Sequence, residues 1–463
     1  MTTLNLRDIQ GNVLRGYRAG NARHLAVTFG EVAQARALLA ELLDGPGPTV
    51  SHADTWRERP RYCLNVGITF AGLQGLGLPE TVLGTFPPAF QAGAAVRALA
   101  PDPDGITDVG LGDIGPSAPD QWELGGTANP PVHMILSLYS DEHRARVRVP
   151  ASGELRAALA RHGAQEVACL DADALPGGRV HFGYRDGISQ PRIADAPGRQ
   201  PADDQEAMPA GELLLGDGYL NFYGGNHIGA IPPRIGDNAT YAAFRILAQD
   251  VAAFEATLQR WSVQWGLDSE WLASRIMGRW RNGAPVITHP DAPEPVPGFA
   301  ALNDFDYAPS EGNPLYLDDS LGVRCPIGSH IRRLNPRSGR SVGLRGARRV
   351  IRRGMAYGPE WNPADGEDGI ERGLIGLFMC ADLQLQYEFV LQQWANMDIS
   401  QPGLRGTREP ILGAQPEGGG HFVVRTGPRE ELVLTGLPTL TRTRGSVYCL
   451  MPGLGGLRAL SEG

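Results

Sequence analysis

The sequence predicts an α+β protein built on mostly antiparallel sheets, and three observations lead there. Short runs that alternate apolar and polar residues recur along the chain, as strands with one buried face do. Between them lie stretches whose apolar residues repeat at helical spacing. The 61 Gly and 37 Pro of this 463-residue chain supply turns and long connections rather than long uninterrupted elements.

In chain order, residues 24–29 (His-Leu-Ala-Val-Thr-Phe) read as a strand, and 31–43 as an Ala/Leu-rich helix that stops at Asp44-Gly45. Residues 62–70 alternate as a second strand and run into a short helical pattern at Ala71-Gly72-Leu73. Residues 88–131 are rich in Gly, Pro and Asp, the composition of a long surface excursion. A strand over 132–139, a helix over 153–162 and a strand over 165–170 complete the order β-α-β-β-α-β, which is that of a ferredoxin-like unit. The polar stretch 195–205 reads as a linker and divides the chain into 1–205 and 206–463. Beyond it, 241–247 is strand-like, and 252–265 is an amphipathic helix with Phe254, Leu258, Trp261 and Trp265 in phase. A helix over 269–280, a buried strand over 374–380, a helix over 383–394 and strands over 422–426 and 445–450 follow. This is the pattern of a second, decorated copy of the same unit, with no sequence repeat to mark it.

Composition narrows the function. Hydrophobic residues at 42% and charged residues at 20% are globular proportions, and the chain is long enough to bury a cofactor. A net charge of -9 argues against a nucleic-acid partner, and no apolar run approaches the about 20 residues of a membrane span. The first 17 residues carry neither an apolar signal core nor a twin-arginine pair. Cys63, Cys169, Cys325, Cys380 and Cys449 are odd in number and far apart, with apolar neighbours and no CxxC or zinc spacing. Buried free thiols in a reducing compartment are therefore expected, and with them a cytoplasmic location; oligomerisation is left open. Charge is uneven, however. Residues 324–353 hold ten arginines and no acid, and a basic block in an acidic chain marks either a solvated face or a local anionic target.

Three segments carry candidate chemistry. In Val180-His181-Phe182-Gly183-Tyr184-Arg185-Asp186-Gly187-Ile188-Ser189-Gln190-Pro191 two glycines bracket Asp186, and the backbone freedom they give aims a lone carboxylate into a cavity or makes a plain Asp-Gly turn. In Cys325-Pro326-Ile327-Gly328-Ser329-His330-Ile331-Arg332-Arg333-Leu334-Asn335-Pro336-Arg337 a histidine precedes three arginines, an arrangement that suits an imidazole on iron and guanidiniums on the propionates of haem. In Arg348-Arg349-Val350-Ile351-Arg352-Arg353-Gly354-Met355-Ala356-Tyr357-Gly358 arginines flank an apolar strand end, and an arginine turned inward there needs an anion or a polarised ligand.

Taken together, these segments resemble the dye-decolourising peroxidase family: a GxxDG segment, a histidine after a Cys-Pro turn in an HIRxxNPR context, and an RRGxxYG segment. The opening Ile9-Gln10-Gly11-Asn12-Val13-Leu14-Arg15-Gly16-Tyr17 and the stretch 373–394, with Gln386-Tyr387-Glu388-Phe389, also resemble that family, so the likeness spans nearly the whole chain in order. The resemblance implies two ferredoxin-like units in a dimeric α+β barrel-like arrangement with helices outside, and haem b in the C-terminal half. It implies His330 as the proximal iron ligand and Asp186 with Arg352 as the distal pair. Arg353 competes with Arg352, because successive strand residues face opposite ways. Ser189, Gln190, Arg333 and Arg337 are expected around the cofactor, and Gly376 stands where many relatives carry an aromatic. Asp382 is expected either behind the proximal imidazole or as a helix N-cap. The implied activity is oxidation of dyes, phenols or other small one-electron donors by hydrogen peroxide. A haem carrier or iron-releasing protein on the same fold is the alternative; it would need His330 and the arginines but not the Asp186/Arg352 pair.

Overall fold

The computed structural model describes residues 3–99, 109–141, 148–196, 206–295, 302–308, 318–337, 348–399, 401 and 403–463. The first half supplies β1 (Asn21–Thr28), α1 (Val32–Asp44), β2 (Tyr62–Ile68), α2 (Pro88–Leu99), β3 (Met134–Ser140), α3 (Arg148–Arg161) and β4 (Gln165–Asp173). The second supplies β5 (Thr240–Gln249), α4 (Val251–Trp265), α5 (Ser269–Met277), β6 (Ile351–Tyr357), β7 (Gly373–Cys380), β8 (Gly420–Arg425), β9 (Glu431–Leu437), β10 (Thr441–Met451) and α6 (Leu454–Glu462). Eight strands form one sheet in the order β4-β1-β3-β2-β10-β5-β7-β6, and β8 pairs with β9 in a separate hairpin.

The order contains the same unit twice. Numbered within each half, β4-β1-β3-β2 and β10-β5-β7-β6 both run fourth, first, third, second, the ferredoxin-like order, and every paired neighbour is antiparallel. The halves join edge to edge where Ile68 of β2 faces Leu450 of β10. The two end strands, β4 and β6, approach each other, so the sheet curls toward a barrel. Strand alternation sorts the two faces. Ala22 and Ala26 of β1, Phe244 and Ile246 of β5 and Val447 of β10 pack inside the curl, where small residues ease the crowding. Leu25 and Val27 turn outward to meet Leu38, Leu39 and Leu42 of α1.

Element positions follow the periodicity of the sequence, with informative departures. The described residues of 88–131 are not a surface excursion: α2 sends Phe90 and Ala94 into the core, and Trp122 is buried with Nε1 donating to the Ser117 carbonyl at 2.7 Å. Gly and Pro there shape a folded layer. In α4, Phe254, Leu258 and Trp261 are buried as expected, whereas Trp265 at the helix end is exposed. The helix expected over 269–280 stops at Gly278, whose φ of 83° ends it in a left-handed cap. Residues Leu383–Glu388 and Val390–Asn396 are helical but wound as a π-helix, a form that recurs near functional sites. Cys63, Cys325, Cys380 and Cys449 are buried free thiols, but Cys169 is exposed. The division expected at residue 205, and Arg340 and Arg345 of the basic block, lie outside the described residues. No described helix is long and apolar enough to cross a membrane.

One buried ion pair fastens α2 to the π-helix. Glu388, with a fully buried side chain, accepts from Arg97 Nε (3.0 Å) and Nη2 (2.6 Å) and from the Tyr448 hydroxyl (3.0 Å). Glu388→Ala leaves Arg97 unpaired and is expected to cost about 3–5 kcal/mol in denaturant unfolding. A loss below about 1 kcal/mol would mean the pair is surface-like.

Candidate functional site

A cavity of about 1130 Å³ opens between the outer face of the second unit's strands and the segments around His330 and Tyr387. Asp186, Arg352 and His330, more than 140 residues apart at the extremes of the sequence, all line it.

Asp186 owes its position to the turn before it. The Val180 amide donates to the Tyr184 carbonyl at 2.9 Å and the Gly183 amide back to Val180 at 2.8 Å. Gly183 has φ +86°, a backbone conformation that calls for glycine, and a Cβ there would also displace the Arg281 guanidinium, 2.5 Å away. The Asp186 amide is tied to the Gly178 carbonyl at 2.9 Å, which leaves the side chain on the cavity wall.

Arg352 is the second residue of β6, next to the end of this same loop. Its amide donates to Gln190 Oε1 at 3.0 Å and its guanidinium Nη2 to the Ser189 carbonyl at 2.8 Å. Burial pushes the guanidinium below its usual range, and the nearby Asp186 carboxylate opposes that shift. Asp186 and Arg352 thus feel each other's charge, yet no hydrogen bond joins them among the described residues; the space between them belongs to the cavity. Arg353 leaves β6 on the opposite face, although it too borders the cavity. Its guanidinium donates to the carbonyls of Asn12 (2.7 Å) and Val13 (3.2 Å), so it ties the N-terminal segment to β6.

His330 opens a four-residue helical turn, His330–Arg333, whose neighbours are locked in place. Arg332 is buried, donates to Asp319 Oδ2 at 2.9 Å and to the Cys325 carbonyl at 2.5 Å, and stacks 4.4 Å over Tyr307. The imidazole Nδ1 meets Glu409 Oε1 at 3.0 Å. Glu409 is buried and also accepts the backbone amides of Ile411 and Leu412. Burial alone would raise the Glu409 pKa, but His330 and these amides outweigh it and hold the carboxyl below its usual range. An ionised acceptor at Nδ1 fixes the tautomer and leaves the Nε2 lone pair free. His330 is the single imidazole on the cavity wall among the described residues, and its Nε2 has no hydrogen-bond partner there.

Several expected residues land elsewhere. Arg333 does not line the cavity: its guanidinium donates to the carbonyls of Trp394 (2.5 Å), Met397 (2.9 Å) and Thr407 (3.1 Å) and to Thr407 Oγ1 (2.9 Å). Positions three apart on a helical turn start from one side, so it is these four acceptors that draw the long guanidinium stem away from the cavity. Asp382 is an N-cap, accepting from the Leu385 amide at 2.8 Å, with His227 as its nearest imidazole at 3.7 Å; the residue behind His330 is Glu409. His181 is buried with Nε2 on the Tyr357 carbonyl at 2.7 Å and does not border the cavity. Ser189 and Gln190 do line it, but their groups hold Arg352 and, through Ser189 Oγ, Asn303 Oδ1 at 2.6 Å.

Arg337 lines the cavity, donating to the carbonyls of Asn303 and Phe305 and stacking 3.7 Å from the Phe305 ring. Beside it lies a residue that sequence reasoning missed. Arg279 is buried, stacks on the same ring at 5.3 Å, and donates to carbonyls, Ser189 Oγ and Asn303 Oδ1. Burial and the adjacent Arg337 push it down to about 9, and no carboxylate pairs with it among the described residues. Two buried guanidiniums on one cavity wall create a place where an anionic group is strongly favoured. One free imidazole nitrogen, a large partly apolar cavity and this cationic wall fit an iron porphyrin with its carboxylates.

Comparison with known proteins agrees. No family model matches the chain. The chain is 26% identical over 501 residues to the dye-decolorizing peroxidase msp1 of Mycetinis scorodonius, covering 99% of this chain and 88% of that one. It is 28% identical over 504 residues to the multifunctional dye peroxidase DyP2 of an Amycolatopsis species, covering 98% and 96%. Among solved structures it matches a dye-decolorizing peroxidase of Auricularia auricula-judae with a TM-score of 0.78 at 24% identity, covering 99% of this chain and 100% of that one.

The Glu409 assignment is testable against Asp382. Glu409→Gln is expected to weaken haemin binding about 10–100-fold, read by absorbance titration, because it removes the anion that orients the imidazole. Asp382→Ala should lower stability by about 0.5–2 kcal/mol, the loss of a cap, and leave haemin binding unchanged. The reverse pattern would return Asp382 to the place behind His330.

Proposed function

We propose, from the full-length similarity to dye-decolourising peroxidases, that the chain is a haem b peroxidase of that family in which Asp186 moves the proton, Arg352 stabilises charge and His330 Nε2 ligates iron. The observation that carries this reading is that all three line one cavity, with Asp186 and Arg352 close but not bonded to each other. When bound through His330, haem would supply the redox chemistry that couples reduction of hydrogen peroxide to one-electron oxidation of donors.

The residues divide the remaining work. Asp186 Oδ accepts a proton from one oxygen of hydrogen peroxide and returns it to the other, which leaves as water. A carboxylate that is ionised beside a fixed cation suits both halves of this shuttle. The Arg352 guanidinium, held by Ser189 and Gln190, donates to the oxygen on which negative charge grows and needs no rearrangement to do so. On the opposite side, Glu409 takes the Nδ1 proton of His330 in a strong hydrogen bond and so raises the electron density that Nε2 offers to iron. Arg279 and Arg337 would face the cofactor's carboxylates, and Ser189 and Gln190 would support the distal pair from the cofactor's rim.

Small phenols and dyes are the proposed electron donors; a related peroxidase of the same fold has been solved in complex with 2,6-dimethoxyphenol. The proposal includes units 1–205 and 206–463 and a cytoplasmic location, the latter supported by the five free cysteines. A haem carrier would have no need of the charge-coupled Asp186/Arg352 pair, which favours turnover over storage.

In stopped-flow mixing with hydrogen peroxide, Asp186→Ala and Arg352→Leu are each expected to slow the first absorbance change by about 10²–10⁴-fold while haem stays bound. A double variant that reacts at the parental rate would remove both residues from the mechanism.

A further inference from the structure

The turn that leads into Asp186 has a twin. Residues 180–184 close by bonds from the Val180 amide to the Tyr184 carbonyl and from the Gly183 amide back to Val180. Residues 280–284 close in the same way, from the Trp280 amide to the Ala284 carbonyl and from the Gly283 amide to Trp280, each at 2.9 Å. The Arg185 amide, one residue before Asp186, donates to the Arg281 carbonyl at 3.2 Å and joins the two turns. Their glycines interlock them further. The Arg281 guanidinium fills the space over Gly183, and Ile188 fills the space over Gly283, where a Cβ would meet its Cδ1 at 2.9 Å. Asp186 thus lies between two anchored points of its own chain, Arg185 and Ile188.

Arg281 makes most of this joint. Its Nη1 donates to the Phe182 carbonyl at 2.6 Å, its Nη2 to Glu255 of α4 at 2.7 Å and its Nε to Glu270 of α5 at 3.1 Å. The guanidinium carbon lies 5.4 Å from the ring centroid of Tyr184 and 5.7 Å from that of Phe254. Tyr184 is itself tied to α5, its hydroxyl donating to the Ala273 carbonyl at 2.7 Å. The two helices pack on each other, so one side chain transmits their position to the turn. A planar fork of fixed charge suits a joint with a carbonyl and two carboxylates. Arg281 does not line the cavity, and the peroxide chemistry gives it no task.

We propose that Arg281 is a positioning residue for the distal carboxylate: gripping the 180–184 turn from behind, it fixes where Asp186 meets the proton it moves. The Asp186 carboxylate takes no hydrogen bond among the described residues, so the backbone sets its place. Proton transfer requires the acceptor within hydrogen-bond reach, and a displacement of about 1 Å costs about 10²-fold. The inference rests on the peroxidase reading, in which Asp186 is the proton carrier.

A proton transfer without turnover tests it. Cyanide reaches the resting, haem-loaded protein as the weak acid HCN, gives its proton to the distal base and binds as the anion. Its association rate, read by stopped-flow absorbance, therefore reports how well Asp186 is placed. Asp186→Asn removes the base and is expected to slow association about 10²-fold or more. Arg281→Gln should slow it about 10- to 100-fold and leave the Soret band of the resting protein unchanged. The double variant decides between positioning and general damage. Arg281→Gln added to Asp186→Asn should slow association less than about twofold further, because the arginine acts only through the carboxylate; a general loss of structure would multiply the two effects. If Arg281→Gln does not fold, Glu255→Gln/Glu270→Gln frees the guanidinium from both helices and keeps its bond to Phe182. That variant is expected to slow association about threefold in the parental protein and not in Asp186→Asn. Rates of both Arg281→Gln and the glutamate variant at the parental value, or losses that multiply, overturn the positioning role and leave the Asp186 assignment standing. Parental association in Asp186→Asn removes the Asp186 assignment, and the role of Arg281 falls with it.

Discussion

Glu409 is a buried carboxylate, and a buried carboxylate is tolerated only where donors meet it. Three do: the backbone amides of Ile411 and Leu412, and the Nδ1–H of His330. The first two fix the carboxylate in the chain that follows the π-helix; the third fixes the imidazole to the carboxylate. Arg333 adds a second tie between the same two segments through the carbonyls of Trp394, Met397 and Thr407. With Nδ1 committed, Nε2 is the nitrogen left for the cavity. The other residues of the site are arranged around that one direction.

On the opposite side the two units meet. The loop that closes the first unit carries Asp186 at its turn and Ser189 and Gln190 after it, and it docks on the first residues of β6 through Arg352. Alternation along β6 then separates two adjacent arginines: Arg352 turns to Ser189 and Gln190, and Arg353 crosses to the carbonyls of Asn12 and Val13. One strand thus holds a guanidinium in the site and fastens the N-terminal segment behind it. The cavity is asymmetric in charge as well. Arg279 and Arg337 stack on Phe305 along one wall, whereas Arg245 at the far end is paired with Asp113.

Much of this was legible in the sequence. Period-two and helical patterns placed β1 to β5 and α4 closely, because each buries one face and repeats accordingly. Asp186, His330 and Arg352, which line one cavity, stand out in the sequence because they sit in short motifs with unusual company: paired glycines, a Cys-Pro turn, an arginine pair. What escaped lacks any local signature. Glu409 lies 79 residues from its imidazole, and an acid before a proline carries no mark of its partner. Arg279 follows an ordinary helix end and becomes special only when Phe305 and Arg337 pack beside it. Arg333 starts on the same side of the turn as His330, but its long side chain ends on the carbonyls of Trp394, Met397 and Thr407, partners 61 to 74 residues away that no local motif announces. Composition misled once: Gly and Pro in 88–131 suggested exposure, and the apolar residues between them, Phe90 and Trp122 among them, are core.

The most direct measurement is the visible absorption spectrum of the purified protein before and after one equivalent of hydrogen peroxide. The account predicts the strong Soret band of a ferric, histidine-ligated haem near ~400 nm, shifting within milliseconds of mixing and returning when a phenol is added. A band that only bleaches would point to a haem carrier, and the absence of any band after haemin is supplied would contradict the account at its root.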